Sequence, residues 1–359
     1  MPLALEGLRI LDLTRVLVGP YTTMILADLG AEVIKIEMPG TGDDARAFPP
    51  HVNGESAYFM SLNRNKRSMT LNLKTEHGNK LFLDMVTQVD VVVENFRPGT
   101  MDRLGLNYEV LREVNPRLIY AAASGFGQTG PYSRRPAYDA IVQAMGGIMS
   151  ITGHADGRPT RVGSSIGDII AGLFAAIGIL AAVEYRHKTN KGQLVDVSML
   201  DSQVAILENA IARYTAAGEV PKPIGNRHPA ITPFEPFDTA DGHLMIAAGN
   251  NVLWAELCQS LNCEDLINDP LFATNSLRTE NQHLLKPLLT AKFKEKTTEE
   301  WQKILDDAGV PNGPINTIDK VVVDQQVVAR DMIVEVDHPQ AGKTMLPGVP
   351  IKMSETPGS

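Results

Sequence analysis

The sequence predicts an α/β protein: a large domain built on a parallel sheet with helices on both faces, joined to a smaller α+β domain. Three observations predict it. Short apolar strands alternate with helical segments through the first third of the chain, the pattern of a sheet covered on both sides. A Pro/Gly-rich stretch, Gly218 to Pro236, then breaks that rhythm. At 359 residues the chain is long enough for two domains.

The elements follow in order. Leu8 to Leu13 is a short apolar strand, Gly19-Pro20 turns the chain, and Tyr21 to Leu29 has helical spacing ended by Gly30. Ala31 to Ile36 is a second strand, followed by a strand at Ser68 to Leu73 and a helix at about Gly78 to Thr87. Then come a strand at Val89 to Glu94, a helix at about Tyr108 to Val114 and a strand at Leu118 to Ala123. A long apolar run from Ile169 to Val183 reads as a buried core helix. After it come a strand at Gln193 to Ser198 and a helix from Asp201 to Tyr214, with Asp201 as its cap. Beyond the Pro/Gly stretch lie a strand at Gly242 to Ala248 and helices at about Val252 to Leu261 and Thr298 to Ala308. A strand at Ile333 to Val336 follows. The domains are therefore expected at 1–215, 216–315 for the linker and small domain, and 316–359 for a return toward the large domain.

The large domain is Rossmann-like in pattern, yet its first turn, Thr14 to Pro20, has no G-x-G-x-x-G, and no Walker phosphate loop occurs. A net charge of −9 without a Lys/Arg block argues against a nucleic-acid partner. Cys258 and Cys263 form neither a disulfide framework nor a metal cluster, and the eight histidines show no ligand spacing, so no metal is expected. The expected compartment is reducing and cytoplasmic. The opening residues lack a basic start and an apolar core, so no signal peptide is expected. The 169–183 run is shorter than the ~20 residues a spanning helix needs, and no membrane partner is expected.

Asp168 carries the most chemistry. It follows the small-residue turn Val162-Gly163-Ser164-Ser165-Ile166-Gly167 and heads the long apolar helix. Such a turn leaves room for a substrate against the backbone. The helix N-terminus offers unpaired N–H groups and a positive dipole end, which would keep a carboxylate ionised. Carboxylates serve as covalent nucleophiles. An Asp at that place is equally suited to cap the helix.

Several ordered segments together resemble the family III CoA-transferases, the group that includes formyl-CoA transferase, carnitine CoA-transferase and α-methylacyl-CoA racemase. They are Gly19-Pro20 with Leu26 to Glu37, Asn63 to Ser68, Glu94-Asn95-Phe96-Arg97-Pro98-Gly99, and Ser124 to Pro131. Tyr138-Asp139 with Gln143 to Gly147, Gly167-Asp168 and Thr189 to Gln193 complete the series. The match runs from residue 5 to about 353 and looks closest to the succinyl-CoA-dependent dicarboxylate CoA-transferases. The resemblance implies an interlocked homodimer, acyl-CoA and a carboxylic acid as substrates, and no permanently bound cofactor. It also implies a further C-terminal helix beyond Ser359.

By the same resemblance Asp168 is the nucleophile that carries CoA as an aspartyl thioester. Leu17, Tyr138, Asp139, Gly167 and Arg227 fall at the acyl site. Val16, Lys74, Asn95, Phe96 and Arg103 fall at CoA, with Arg97 and Lys66 as lesser candidates. Tyr138 stands where the racemases of the family place a His. Proton abstraction beside a thioester needs a base near neutrality, and a Tyr at ~10 does not supply one, so racemase activity is disfavoured. Leu17 replaces a Gln of formyl-CoA transferase, which argues against oxalate and for a larger acyl group. Arg227, in the loop Gly225 to Pro229, could pair with the distal carboxylate of a diacid, or be a solvated loop arginine, and His228 shares that ambiguity. Met38 and Pro136 replace basic residues of relatives, so some phosphate contacts must differ.

Overall fold

The computed structural model describes residues 3–359. Six parallel strands form the main sheet: β1 (Arg9–Asp12), β2 (Glu32–Glu37), β3 (Lys66–Thr70), β4 (Val91–Glu94), β5 (Ile119–Ser124) and β6 (Leu194–Ser198). Their order is β3-β2-β1-β4-β5-β6. This is a doubly wound sheet whose winding reverses between β1 and β4, leaving a crevice at their carboxyl ends. The third strand lies two residues earlier than its apolar pattern predicts.

Alternation along the strands builds two cores. Ile10, Val91, Val93, Ile119 and Ala121 face one side, with Leu26 of α1 (Val18–Asp28) and Ile179 of a long helix described below. Leu11, Val92, Tyr120 and Ala122 face the other, with Phe82 and Val86 of α3 (Glu76–Val86) and Leu111 of α4 (Tyr108–Val114). Burial on both faces explains the unbroken Val91-Val92-Val93 run. Between β2 and β3 lies α2 (Ala57–Asn63), capped by Ser56 Oγ, which accepts from Phe59 N.

After β5 come α5 (Asp139–Met145) and α6 (Ile166–Thr189). By length and composition α6 could cross a membrane. A stripe of small residues, Ala171, Ala175, Ala176 and Ala182, nevertheless buries it against the sheet. Expected as a buried core helix, it is buried on one face, with Leu173, Phe174 and Ile177 exposed on the other. The expected helix from Asp201 to Tyr214 is two, α7 (Met199–Ala205) and α8 (Glu208–Ala217), parted where Glu208 takes a positive φ. Ser198, not Asp201, is the cap: its Oγ accepts from Asp201 N at 3.1 Å.

The chain divides into two compact units. The first takes residues up to Met149, Arg161–Val220 and Gln325–Ser359; the second takes Ser150–Thr160 and Pro221–Asp324. Residues 150–160, placed by the sequence pattern in the large domain, thus belong with the second unit. That unit holds a three-stranded antiparallel sheet, Phe234–Asp238, His243–Ala247 and Asn312–Pro314, with its own core around Trp254, Leu257, Phe293 and Trp301.

Candidate functional site

Ser165 occupies the N-cap position of α6, and Asp168 is the third residue of that helix. Asp168 is therefore not the cap. Its carboxylate is partly buried, and burial, followed by the neighbouring Asp139 carboxylate, raises its pKa from 3.8 to about 7. Contrary to the expectation from sequence, the helix end does not keep it fully ionised. Desolvation and a like charge outweigh the dipole, and no hydrogen-bond donor among the described residues offsets them. The result is a carboxylate poorly stabilised as an anion.

The turn that presents Asp168 is held from α5. Asp139 Oδ1 accepts from Gly167 N at 2.8 Å, and Asp139 Oδ2 accepts from Gln143 Nε2 at 2.8 Å. Gln143 Oε1 in turn accepts from Val162 N at 2.8 Å. Asp139 and Gln143 stand one helical turn apart, so both reach the same segment. Gln143 is fully buried, and its role was not legible beyond its place in a family motif. A Cβ on Gly167 would lie 2.7 Å from Val142 Cγ2 and 3.0 Å from Asp139 Oδ1, so only glycine fits. Asp139 and Gly167, expected at the acyl site, are thus brought beside Asp168 as parts of its mounting. Tyr138, the N-cap residue of α5, keeps its ring 75% exposed.

Tyr58, on α2, is a neighbour of Asp168 that sequence reasoning missed. Its phenol is pushed up to about 12 by burial first, then by the charges of Asp168, Asp43 and Asp139. A Tyr followed by Phe59 and Met60 in a short helix carries no sequence signal beyond core packing.

The loops after β1, β2, β3 and β4 border a cavity of about 570 Å³, within the size range of small-ligand sites. Leu13, Thr14 and Arg15 line it from the loop after β1, Phe96 from the loop after β4, and Lys74 and Arg103 from segments beyond. Three of the residues expected at CoA, Lys74, Phe96 and Arg103, therefore meet in one cavity. Asn95 works behind it: its Oδ1 accepts from Arg15 N at 2.9 Å and its Nδ2 donates to Arg15 O at 2.8 Å. Val16 holds a left-handed backbone, φ 67°, rare for a β-branched residue. Its N–H donates to Asp43 Oδ1 at 3.0 Å, and Asp43 is ion-paired with Lys35 at 2.9 Å. Lys35 also donates to Thr14 O at 2.7 Å. Leu17 is buried immediately before α1.

Lys66 is not at this cavity. It is buried against Asp12 at 3.1 Å and donates to Pro20 O and Asn63 Oδ1, both at 2.9 Å. Burial lowers its pKa to about 8, with Asp12 opposing. Asp12 is itself held at about 2: burial would raise it, but Lys66, Lys35, Thr14 and Thr23 together prevail. This buried pair sets the backbone that follows β1. Arg97 is exposed and off the cavity.

Arg227 belongs to the second unit, where it lines a separate cavity of about 570 Å³ with His154, Glu235, Gln282 and Lys286. His228 stacks on Phe234, with ring centroids 5.4 Å apart, and its Nδ1 accepts from Ala230 N at 3.1 Å.

The model of the family described as "CoA-transferase family III" matches residues 5–359. Succinyl-CoA:glutarate CoA-transferase of Mus musculus is 45% identical over 98% of this chain and 81% of its own length. Acetyl-CoA:oxalate CoA-transferase of Acetobacter aceti is 47% identical over 97% of this chain and 89% of its own. Among solved structures, a CAIB/BAIF family protein from Brucella suis superposes with a TM-score of 0.88 at 40% identity, covering 100% of this chain and 95% of that one.

Proposed function

The chain belongs to CoA-transferase family III, and from that premise we propose that it moves CoA between carboxylic acids through a covalent intermediate on Asp168. The ionised Asp168 attacks the thioester carbonyl of the acyl-CoA and expels CoA thiolate, forming a mixed anhydride. The thiolate attacks the aspartyl carbonyl, releasing the first acid and leaving an aspartyl-CoA thioester. The acceptor carboxylate then attacks that thioester, and the thiolate returns to the acceptor's acyl carbon, freeing Asp168. Each step exchanges one acyl bond for another, with no proton gained or lost overall.

One observation carries this reading: a partly buried carboxylate, without an ion-pair or hydrogen-bond partner among the described residues, mounted by Asp139 on a turn that only glycine can complete. CoA is assigned to the cavity bordered by the loops after β1 to β4, with Lys74 and Arg103 toward its phosphates and Phe96 offering an apolar face. Asp168 and Tyr58 take the acyl end.

The substrates are proposed to be dicarboxylic acids, with succinyl-CoA or another dicarboxyl-CoA as donor. The names of the relatives support that class. They do not separate diacids by length, since the mouse relative is named for glutarate and the Acetobacter one for oxalate. A homodimer is also proposed: Leu173, Phe174 and Ile177 of α6 form an apolar row that a second copy would cover.

Trapping tests the nucleophile. After acyl-CoA is added, borohydride or hydroxylamine should modify Asp168, read by mass spectrometry of the peptide. Turnover by Asp168→Ala at the wild-type rate would overturn the assignment.

A further inference from the structure

Glu94 is the last residue of β4 and the first of the segment Glu94-Asn95-Phe96-Arg97-Pro98-Gly99, and the chemistry above gives it no task. It is 4% exposed, at the carboxyl end of β4, two residues before the cavity residue Phe96. Oε2 accepts from Phe96 N at 2.7 Å, and Oε1 accepts from the Tyr120 hydroxyl at 3.3 Å. Tyr120 stands on β5, the next strand in the sheet, so the carboxylate ties the loop after β4 to the sheet's interior.

The adjacent residue completes the tie. Asn95 clasps both backbone polar groups of Arg15, and the Arg15 guanidinium carbon lies 5.8 Å from the Phe96 ring centroid. Glu94 therefore fixes Phe96, Asn95 fixes Arg15, and the two fixed side chains meet at the cavity wall. We propose that Glu94 is a positioning residue for the CoA site, holding the Phe96 backbone so that its ring presents one face to the ligand. This rests on the assignment of that cavity to CoA.

A purely structural role would not call for an acid at this position. A buried carboxyl without a cation is costly, and the charges of Asp196 and Asp102 act against its ionisation. Burial first, against the Phe96 and Tyr120 hydrogen bonds, raises its pKa to about 7. What the acid supplies is two acceptor oxygens in a fixed fork, one per donor.

The test measures CoA affinity by calorimetry, and KM and kcat for acyl-CoA, in Glu94→Leu, Glu94→Gln and Tyr120→Phe. Glu94→Leu should weaken CoA binding and raise KM by about ten-fold while kcat stays within about two-fold, the loss expected for one buried hydrogen bond to a charged group. Glu94→Gln, which keeps an acceptor for Phe96 N, should recover most of that affinity. Tyr120→Phe should weaken binding about three-fold, and it decides the matter should Glu94→Leu fail to fold. Wild-type affinity in Glu94→Leu and Tyr120→Phe, or a fall in kcat at unchanged KM, overturns the inference. Phe96→Ala and Arg103→Ala serve as controls: if these also bind CoA normally, the cavity assignment fails. If they bind weakly while the Glu94 and Tyr120 variants bind normally, only the role of Glu94 fails.

Discussion

The Asp139 carboxylate receives the Gly167 amide at 2.8 Å, one residue before Asp168. One side chain thus does two things: it holds the turn in place, and its charge helps raise the pKa of Asp168. These effects separate by mutation. Asp139→Asn keeps an oxygen for the Gly167 amide and removes the charge, at the cost of the acceptor that Gln143 Nε2 uses. The limb of the pH–rate profile that reports Asp168 should move to lower pH, with kcat on the plateau within a few-fold of wild type. Gly167→Ala should instead misplace Asp168 and cost about 10²-fold in kcat with the fold retained. An unshifted profile in Asp139→Asn would remove the charge from the account.

Activity should rise with pH and level off above about pH 7. In the proposed mechanism the attacking group is the ionised carboxylate, and burial holds Asp168 protonated below that point. The same shift has a stability consequence. Between pH 3.8 and about 7 the folded chain keeps a proton that the unfolded chain has lost, so the folded state loses stability as pH rises through that window. Asp168→Asn lacks this loss. Thermal melts should show its Tm advantage over wild type growing from pH 4 to pH 8, while its transferase activity is abolished.

No acyl α-proton should exchange with solvent. A phenol is ordinarily no base near neutrality, and Tyr138 is 75% exposed. Incubating a 2-methylacyl-CoA with the enzyme in heavy water and measuring its mass checks this. Deuterium uptake that disappears in Tyr138→Phe would move the protein to racemase chemistry.

We expect diacids of about four to six carbons to be used best and oxalate poorly: the family resemblance sets Leu17 at the acyl site, where an amide would hydrogen-bond a short polar group. Leu17→Gln should raise kcat/KM for oxalate about ten-fold, the worth of a hydrogen bond of ~1–3 kcal/mol. Oxalate as the best acceptor in wild type would defeat the claim.

Local patterning by itself determined the alternating strands and helices, the break at Gly218 to Pro236, and the placing of Asp168 at the head of a long helix. These features depend on residues a few positions apart: Val91 and Val93 against Val92, or the stripe from Ala171 to Ala182. The motif resemblance carried the chemistry, because family residues sit at fixed places along the chain. Tertiary structure alone decided the rest. The meeting of Lys74, Phe96 and Arg103 in one cavity depends on a sheet that pairs β1 with β4, strands far apart in the chain. Tyr58 beside Asp168, the pKa of that Asp, and the reassignment of Lys66 from ligand contact to buried ion pair have the same origin. Burial and charge proximity act through space, and no spacing along the chain encodes them until the sheet has closed.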